Sequence, residues 1–207
     1  MTIDVWEILS IVGSVAFALS GAIVAMEEDF DLLGIFILGF VTAFGGGAIR
    51  NVLIGLPISA LWSQGQAFHF AFAAMILLIF FPKWVGKGWM KAEVLTDAIG
   101  LAAFSVQGTL YAVKLHQPLS AVIVAAVLTG AGGGVVRDVL AGRKPSVLRS
   151  EIYAGWSILA ALLLYFKIAK NDPDYYLLVL VLTCLRMIGY WRQWHLPKIK
   201  WKVDEND

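Results

Sequence analysis

The sequence predicts an all-α integral membrane protein with seven transmembrane helices, arranged as two inverted three-helix repeats followed by a seventh helix. Three observations predict this fold. The composition is too apolar for a water-soluble domain, seven apolar runs are separated by polar breaks, and a glycine-rich motif occurs twice along the chain. We therefore expect the whole chain, residues 1–207, to form a single membrane domain.

The composition points to lipid as the solvent of this protein. Hydrophobic residues make up 59% of the chain and charged residues 15%, whereas soluble domains have about 25% charged and about 45–50% apolar residues. The net charge of +1 gives no electrostatic reason to expect a nucleic-acid partner. Cys184 is the single cysteine, which excludes a disulfide framework and a cysteine-based metal cluster. The first four residues lack the basic region of a cleaved signal peptide, so the first apolar run is expected to be retained as a helix.

The apolar runs predict where each helix crosses the membrane. The predicted spans are residues 5–26, 32–54, 67–81, 92–115, 119–141, 152–168 and 175–194. The first three spans form repeat 1, residues 5–83, and the next three form repeat 2, residues 92–168. A polar tail, residues 195–207, follows the seventh helix.

The distribution of basic residues predicts the orientation. Because loops on the cytoplasmic side carry the excess of Lys and Arg, the side with more of them is expected to face the cytoplasm. The side that holds the C-terminus carries Lys83, Lys87, Lys91, Arg143, Lys144, Arg149, Arg192, Lys198, Lys200 and Lys202. The opposite side carries Lys114, Lys167 and Lys170. We therefore expect a multi-pass protein with its N-terminus outside and its C-terminus and polar tail in the cytoplasm.

An internal repeat relates the two halves of the chain. The segment from Gly45 to Gly55 recurs from Gly132 to Gly142, at an offset of 132 − 45 = 87 residues, and both copies read Gly-Gly-Gly-x-x-Arg. The same offset pairs other glycines, phenylalanines and threonines in the spans, namely Gly13 with Gly100, Phe17 with Phe104, Gly21 with Gly108 and Thr42 with Thr129. Since each copy has three spans, the second copy enters the membrane from the opposite side, which predicts an inverted repeat with a binding site or pore near the midplane.

The two glycine triplets, Gly45-Gly46-Gly47 and Gly132-Gly133-Gly134, are expected to kink or break their helices. Each glycine costs a helix about 1 kcal/mol relative to alanine, and irregular backbone survives at membrane depth where it lines a cavity or is buried in protein. Carbonyl groups freed by such breaks would face a permeating cation such as K⁺ or Na⁺; no other cofactor is expected. The alternative is tight helix packing through small residues, and both interpretations can hold together.

Charged residues accompany each triplet. Arg50 and Arg137 follow the triplets, and the next residues are Asn51 and Asp138. Ionisable groups inside spans usually face the bundle interior or a cavity, so each arginine is expected to guard one mouth of a central pathway; the alternative is that each extends to its membrane interface. Asp97, one turn inside the fourth span, either lines the pathway or forms a structural ion pair with an arginine.

Small polar residues on related helix faces complete the predicted lining: Ser10, Ser20, Thr42, Gln107 and Thr129. The cluster Arg143, Lys144 and Arg149 is a candidate site for anionic lipid head groups, although the bias of basic residues to the cytoplasmic side explains it equally. Arg186 in the seventh span has no counterpart in either repeat and pairs either within the subunit or with a neighbour.

These motifs resemble those of a known family. The doubled Gly-Gly-Gly-x-x-Arg-Asp/Asn-x-Leu, together with Phe-x-x-Ser/Gln-Gly in the first and fourth spans, is similar to the bacterial members of the trimeric intracellular cation (TRIC) channel family, whose domain has also been named a glycine transporter domain. The resemblance covers about residues 5–195. It implies a homotrimer in the plasma (inner) membrane, with a potassium-permeable pore in each subunit between kinked second and fifth helices. The Lys-Glu-Val motif with which animal relatives bind a phosphoinositide is not found in this sequence.

Two functions remain open at this point. A passive cation channel is the first, and a secondary transporter for glycine or another small zwitterion is the second, because inverted repeats with broken helices also support alternating access. An enzyme is not expected, since the sequence offers no arrangement of nucleophile and base and no metal-binding cluster.

Overall fold

The computed structural model describes residues 4–57, 59, 64–81, 89–149, 152–195 and 197. Over these residues the protein is all-helical, as predicted. The helices are α1 (Val5–Glu27), α2 (Leu32–Leu53), α3 (Gly65–Phe80), α4 (Trp89–Lys114), α5 (Leu119–Leu140), α6 (Ser146–Arg149), α7 (Tyr153–Tyr165) and α8 (Asp172–Arg192). Each of the seven predicted spans overlaps one of the helices α1, α2, α3, α4, α5, α7 and α8. The four-residue α6, between α5 and α7, was not predicted.

The helices differ in their fitness to cross a membrane. By length and composition, α1, α2, α5 and α8 are each long and apolar enough to do so, and α3 and α7 are shorter apolar helices. At 13 residues, α7 is about 20 Å long, which is less than the hydrocarbon thickness of about 30 Å. Of the residues used to predict orientation, Lys83, Lys87, Lys198, Lys200 and Lys202 lie outside the described part of the chain.

The core is formed around α1 and α4. Helix α1 packs against α2, α3 and α4, while α4 packs against α5, α7 and α8, and α2 packs against α5. One apolar cluster joins α1, α2 and α3 through residues such as Phe17, Leu38 and Met75. A second joins α1, α4, α7 and α8 through residues such as Leu9, Ala103 and Leu182. Large apolar side chains stay exposed on outer faces, as lipid contact requires: Leu33, Phe70, Phe80, Leu177 and Leu180.

Turns at equivalent positions of the two repeats have the same backbone geometry. Asp29 after α1 and His116 after α4 both adopt positive φ, at 55° and 52°. Gly55 after α2 and Gly142 after α5 do so as well, at 74° and 70°, a conformation that costs glycine least. Asp31 is the N-cap residue of α2. Its side chain accepts a hydrogen bond of 2.7 Å from the backbone N–H of Gly34, which satisfies one of the free N–H groups at the start of the helix.

Candidate functional site

The glycine triplets mark the place where α2 and α5 meet most closely. A Cβ on Gly46 would lie 2.7 Å from the carbonyl oxygen of Thr129, and one on Gly132 would lie 3.1 Å from the Cα of Gly46. A Cβ on Gly133 would overlap the carbonyl oxygen of Thr42. The absence of side chains at these positions therefore lets the two backbones touch, which is the packing role of small residues in membrane helices.

The expected break at the triplets is not present. Helix α2 is continuous from Leu32 to Leu53 and α5 from Leu119 to Leu140, so both triplets remain within regular helix. Because backbone carbonyls stay in the helix, none is freed there to face a K⁺ or Na⁺ ion in this conformation. The alternative, tight packing through small residues, is present, and contact between the two helices offsets the low helix propensity of glycine. A kink within the continuous helices stays a prediction.

A second pair of glycines brings two phenylalanine rings together beside this crossing. A Cβ on Gly13 would overlap the ring of Phe104, and a Cβ on Gly100 would overlap the ring of Phe17. The two rings lie edge to face with their centroids 5.4 Å apart. Since Gly13 pairs with Gly100 and Phe17 with Phe104 at the repeat offset, α1 and α4 contact each other through equivalent residues.

Arg137 lies at the centre of a buried charged cluster. Its side chain is 1% exposed, and it contacts Asp138 at 2.7 Å and Asp97 at 2.9 Å. It also donates a hydrogen bond to the hydroxyl of Ser20, and Glu93 lies 3.8 Å away. The guanidinium therefore does not extend to an interface, and Asp97 forms the ion pair that was one of its two predicted roles. Removal of one partner from such a pair leaves an uncompensated buried charge.

Arg186 joins this cluster from α8. Its guanidinium lies 3.6 Å from Asp97 and 4.5 Å from the ring centroid of Tyr153, so Arg186 pairs within the subunit. These charges border a cavity of about 220 Å³ that opens between α4, α5 and α8. The charged side chains that line it are Glu93, Asp97, Arg137, Asp138, Arg143, Lys144 and Arg186.

Arg143 connects this cavity to the end of α1. It lies 2.9 Å from Glu27 and 2.6 Å from Glu28, and 3.8 Å from Glu93. Burial lowers the pKa of Arg143, but its hydrogen bonds to Glu27 and Glu28 outweigh this effect and raise the pKa overall. Arg143 is thus neutralised by carboxylates of its own chain. Binding of lipid head groups by Arg143, Lys144 and Arg149 stays a prediction.

Arg50 is equally buried but has a different environment. Its side chain is 2% exposed, and it donates two hydrogen bonds, of 2.7 and 3.1 Å, to the amide oxygen of Asn51. The guanidinium lies over the ring of Tyr111, 4.3 Å from its centroid. Among the described residues, its Nη1 has no hydrogen-bond partner. The amide nitrogen of Asn51 in turn donates to the carbonyl of Pro57 at 3.2 Å.

The residues of the predicted polar lining lie in three different environments. A second cavity of about 280 Å³ is lined by Ser10 and Gln107, together with Trp6, Glu7 and Tyr111. The hydroxyl of Ser10 donates a hydrogen bond to Gln64. Thr42 and Thr129 are fully buried, and their hydroxyls donate to the carbonyls of Leu38 and Ala125 at 2.6 Å. Ser20 lies apart from this second cavity, at Arg137.

A narrow space connects the second cavity with the glycine crossing. Its volume is about 10 Å³, and Arg50, Gln64, Phe104, Gln107 and Thr129 are among the residues that line it. Such a volume is about enough to hold one water molecule. The narrow space shares Gln64 and Gln107 with the second cavity, and its other lining residues include Phe104 of the phenylalanine pair and Thr129.

The residues that sequence reasoning missed at these sites include Gln64, Glu93, Tyr111 and Glu27. Two of them were detectable, because Glu93 and Tyr111 each lie four positions from a predicted lining residue, Asp97 and Gln107, on the same face of α4. Gln64 was not detectable, since it precedes α3 in a region without regular spacing. Glu27 was assigned to a polar break, and its pairing with Arg143 depends on a contact between distant parts of the chain.

Comparisons with known proteins agree with this architecture. The family model described as "Glycine transporter" matches residues 7–83 and 94–169, which correspond to the two repeats. The UPF0126 membrane protein YvgT of Bacillus subtilis is 56% identical, over 96% of this chain and 98% of its own length. The UPF0126 inner membrane protein YadS of Escherichia coli is 35% identical, over 96% of this chain and 97% of its own.

Solved structures share the fold. A prokaryotic TRIC channel in 0.5 M KCl superposes with a TM-score of 0.84 at 28% identity, over 92% of this chain and 98% of that one. A structure that describes conductance through TRIC cation channels gives a TM-score of 0.80 at 31% identity, over 95% of this chain and 98% of that one. The chain is therefore a membrane protein of the TRIC family, whose domain model bears the description glycine transporter.

Proposed function

We propose that this protein is a channel for monovalent cations, permeable to potassium, with one pathway per subunit between α2 and α5. The likeness to TRIC cation channels over more than nine-tenths of the chain carries the proposal. The two cavities, which lie at opposite ends of α4, and the narrow space beside Gly47 support the position of the pathway. No enzymatic role is proposed, because the family and the fold are those of channels.

The charge pattern is compatible with cation passage. An unpaired arginine would repel a cation, but Asp97 and Asp138 contact Arg137 at 2.9 and 2.7 Å and neutralise it. The conformation described is closed, since α2 and α5 touch at the triplets. Conduction then requires the two helices to separate there, with the hydroxyl and carbonyl oxygens of Thr42 and Thr129 near the opening.

We further propose a homotrimer in the plasma membrane, with the N-terminus outside, the C-terminus in the cytoplasm, and the two repeats inverted. The solved relatives support the trimer, since one of them is named a trimeric intracellular cation channel of Rhodobacter sphaeroides, with a TM-score of 0.79 at 28% identity. The matched turn geometry of the two repeats and the equivalent contacts between α1 and α4 support the inverted repeat.

Transport of glycine or another small zwitterion is the second candidate. The description of the family model favours it, as does a buried arginine beside a cavity, which could receive a carboxylate. One pair of measurements separates the two functions. Purified protein in a planar bilayer under a potassium gradient should give unitary currents that reverse near the potassium equilibrium potential. Saturable uptake of labelled glycine into liposomes, with no such currents, would instead establish the transporter.

A further inference from the structure

The two equivalent arginines differ in their counter-charges. Arg137 has two carboxylates within 2.9 Å. Arg50 has the neutral amide of Asn51 in place of Asp138, and Ser10 stands at the position equivalent to Asp97. Among the described residues, no carboxylate lies within 4.0 Å of Arg50. No carboxylate of the described residues therefore neutralises the positive charge of Arg50.

This charge is also incompletely hydrogen-bonded. Arg50 is 2% exposed, and its Nη1 has no hydrogen-bond partner among the described residues. Removing an ion from water costs several kcal/mol unless a counter-charge and hydrogen bonds compensate for it. The ring of Tyr111 supplies part of the compensation, but it satisfies no N–H group.

The surroundings of Arg50 fit a small anion. Arg50 lines the narrow space together with Gln64, Gln107 and Thr129, and both glutamines also line the cavity of about 280 Å³. A glutamine amide offers two N–H donors, and the hydroxyl of Ser10 donates to the amide oxygen of Gln64, so that contact occupies none of the N–H groups of Gln64. Glu7 is the acidic residue among those that line the wider cavity, and it forms no ion pair with Arg50.

We infer that Arg50 binds a small monovalent anion, either a halide or the carboxylate group of a small solute, in the space it shares with Gln64 and Gln107. The narrow part admits a group of about the size of one water, and the wider cavity provides the entrance. The bound anion supplies to Arg50 the charge that Asp97 and Asp138 supply to Arg137. The inference concerns binding, which is measured without transport and stands independently of the proposed function.

The first experiment measures the thermal stability of the protein in detergent at one ionic strength. The solutions contain sodium chloride, sodium acetate, or sodium lactobionate with added glycine, and sodium lactobionate alone is the reference. Lactobionate, a disaccharide acid, is too large for the space at Arg50. A ligand that binds the native state stabilises it by mass action. If the site binds chloride, acetate or glycine, the Tm should therefore rise with the concentration of that ligand. A response to chloride alone identifies a halide site, and a response to acetate or glycine identifies a carboxylate site.

The matched variant is Asn51→Asp. Its carboxylate oxygen takes the place of the atom that already accepts two hydrogen bonds from Arg50. The variant loses the hydrogen bond to the carbonyl of Pro57 but gains the charge pairing of Arg137 and Asp138, so it is expected to fold. Like charges placed side by side repel each other, so anion affinity should fall by about tenfold or more. Lys114→Gln is the control, because it removes a cation near Trp6 and should leave the anion effect unchanged.

A crystal soaked in sodium bromide supplies a direct readout. An anomalous peak in contact with Arg50 in the wild type, absent in Asn51→Asp, supports a halide site. Equal Tm in all anions together with no peak at Arg50 would overturn the inference. So would an anion effect that persists in Asn51→Asp, since that effect would arise elsewhere on the protein.

Discussion

Arg50 and Arg137 show how two side chains at equivalent positions come to have different chemistry. Both are buried, and both donate to the next residue in the chain through the Nε and Nη2 nitrogens. One acceptor is a neutral amide and the other a carboxylate. The difference lies in one atom of the side chain, yet it decides whether the arginine is neutralised by the protein.

Loss of Asp97 should destabilise the protein strongly. Asp97→Asn removes the charge that contacts Arg137 at 2.9 Å and Arg186 at 3.6 Å, and breaking a buried pair costs about 3–5 kcal/mol. The equivalent change in repeat 1, Ser10→Ala, removes one hydrogen bond to Gln64 and should cost about 1 kcal/mol. Reversible unfolding in mixed detergent measures both. Equal effects of the two substitutions would mean that the ion pair is not a major source of stability.

The ion pair between Glu28 and Arg143 can be tested separately. Glu28→Gln removes a contact with Arg143 that is partly exposed to solvent, and exposed ion pairs contribute about 0–1 kcal/mol. We therefore expect a small loss of stability, which shrinks as the salt concentration rises because salt screens the pair. Unfolding measured at low and high potassium chloride checks this. A loss that is independent of salt would contradict an electrostatic origin.

At the level of the helices, the glycine triplets set the distance between α2 and α5. Gly46 and Gly133 face the partner backbone, whereas Gly45 has only side-chain carbons of Val41 and Val136 at 3.8 and 3.9 Å from its ideal Cβ. Adjacent glycines in one triplet therefore have different roles, because Gly46 lies on the side of α2 that faces the α5 backbone and Gly45 does not.

Alanine substitutions distinguish those roles. Gly46→Ala forces α2 and α5 apart, because its Cβ would lie 2.7 Å from a backbone oxygen, and overpacking typically costs about 1–3 kcal/mol. Gly45→Ala should be neutral or stabilising, since alanine favours the helix by about 1 kcal/mol. Thermal stability of each variant, with potassium flux into liposomes, provides the comparison. Similar losses in both variants would argue against close packing at Gly46.

For the whole molecule, four helices from the two halves form the centre, and α3, α7 and α8 cover it. The cavity near Arg137 carries both signs of charge, while the cavity near Arg50 is lined mainly by neutral polar and aromatic side chains. The proposed pathway between them is therefore electrically unequal at its two ends.

Cysteine labelling tests the inverted repeat. Glu28 and Leu115 are equivalent positions in the two repeats, and both are exposed. In a Cys184→Ser background, Glu28→Cys should react with a membrane-impermeant maleimide from the cytoplasmic side, and Leu115→Cys from the opposite side. This result follows from three spans per repeat. Reaction of both cysteines from the same side would rule out the inverted arrangement.

The sequence by itself determined the solvent, the helices and the repeat, because composition, apolar periodicity and a fixed offset are local properties of the chain. It also identified Arg50, Arg137, Asp97 and Asp138 as important charges. Only the tertiary structure decided that the two triplets pack against each other within continuous helices, and that Glu27 and Glu28 meet Arg143. The reason is that helix continuity at a glycine, and the neutralisation of a buried arginine, depend on groups that other helices bring into contact and that no spacing along one helix reveals.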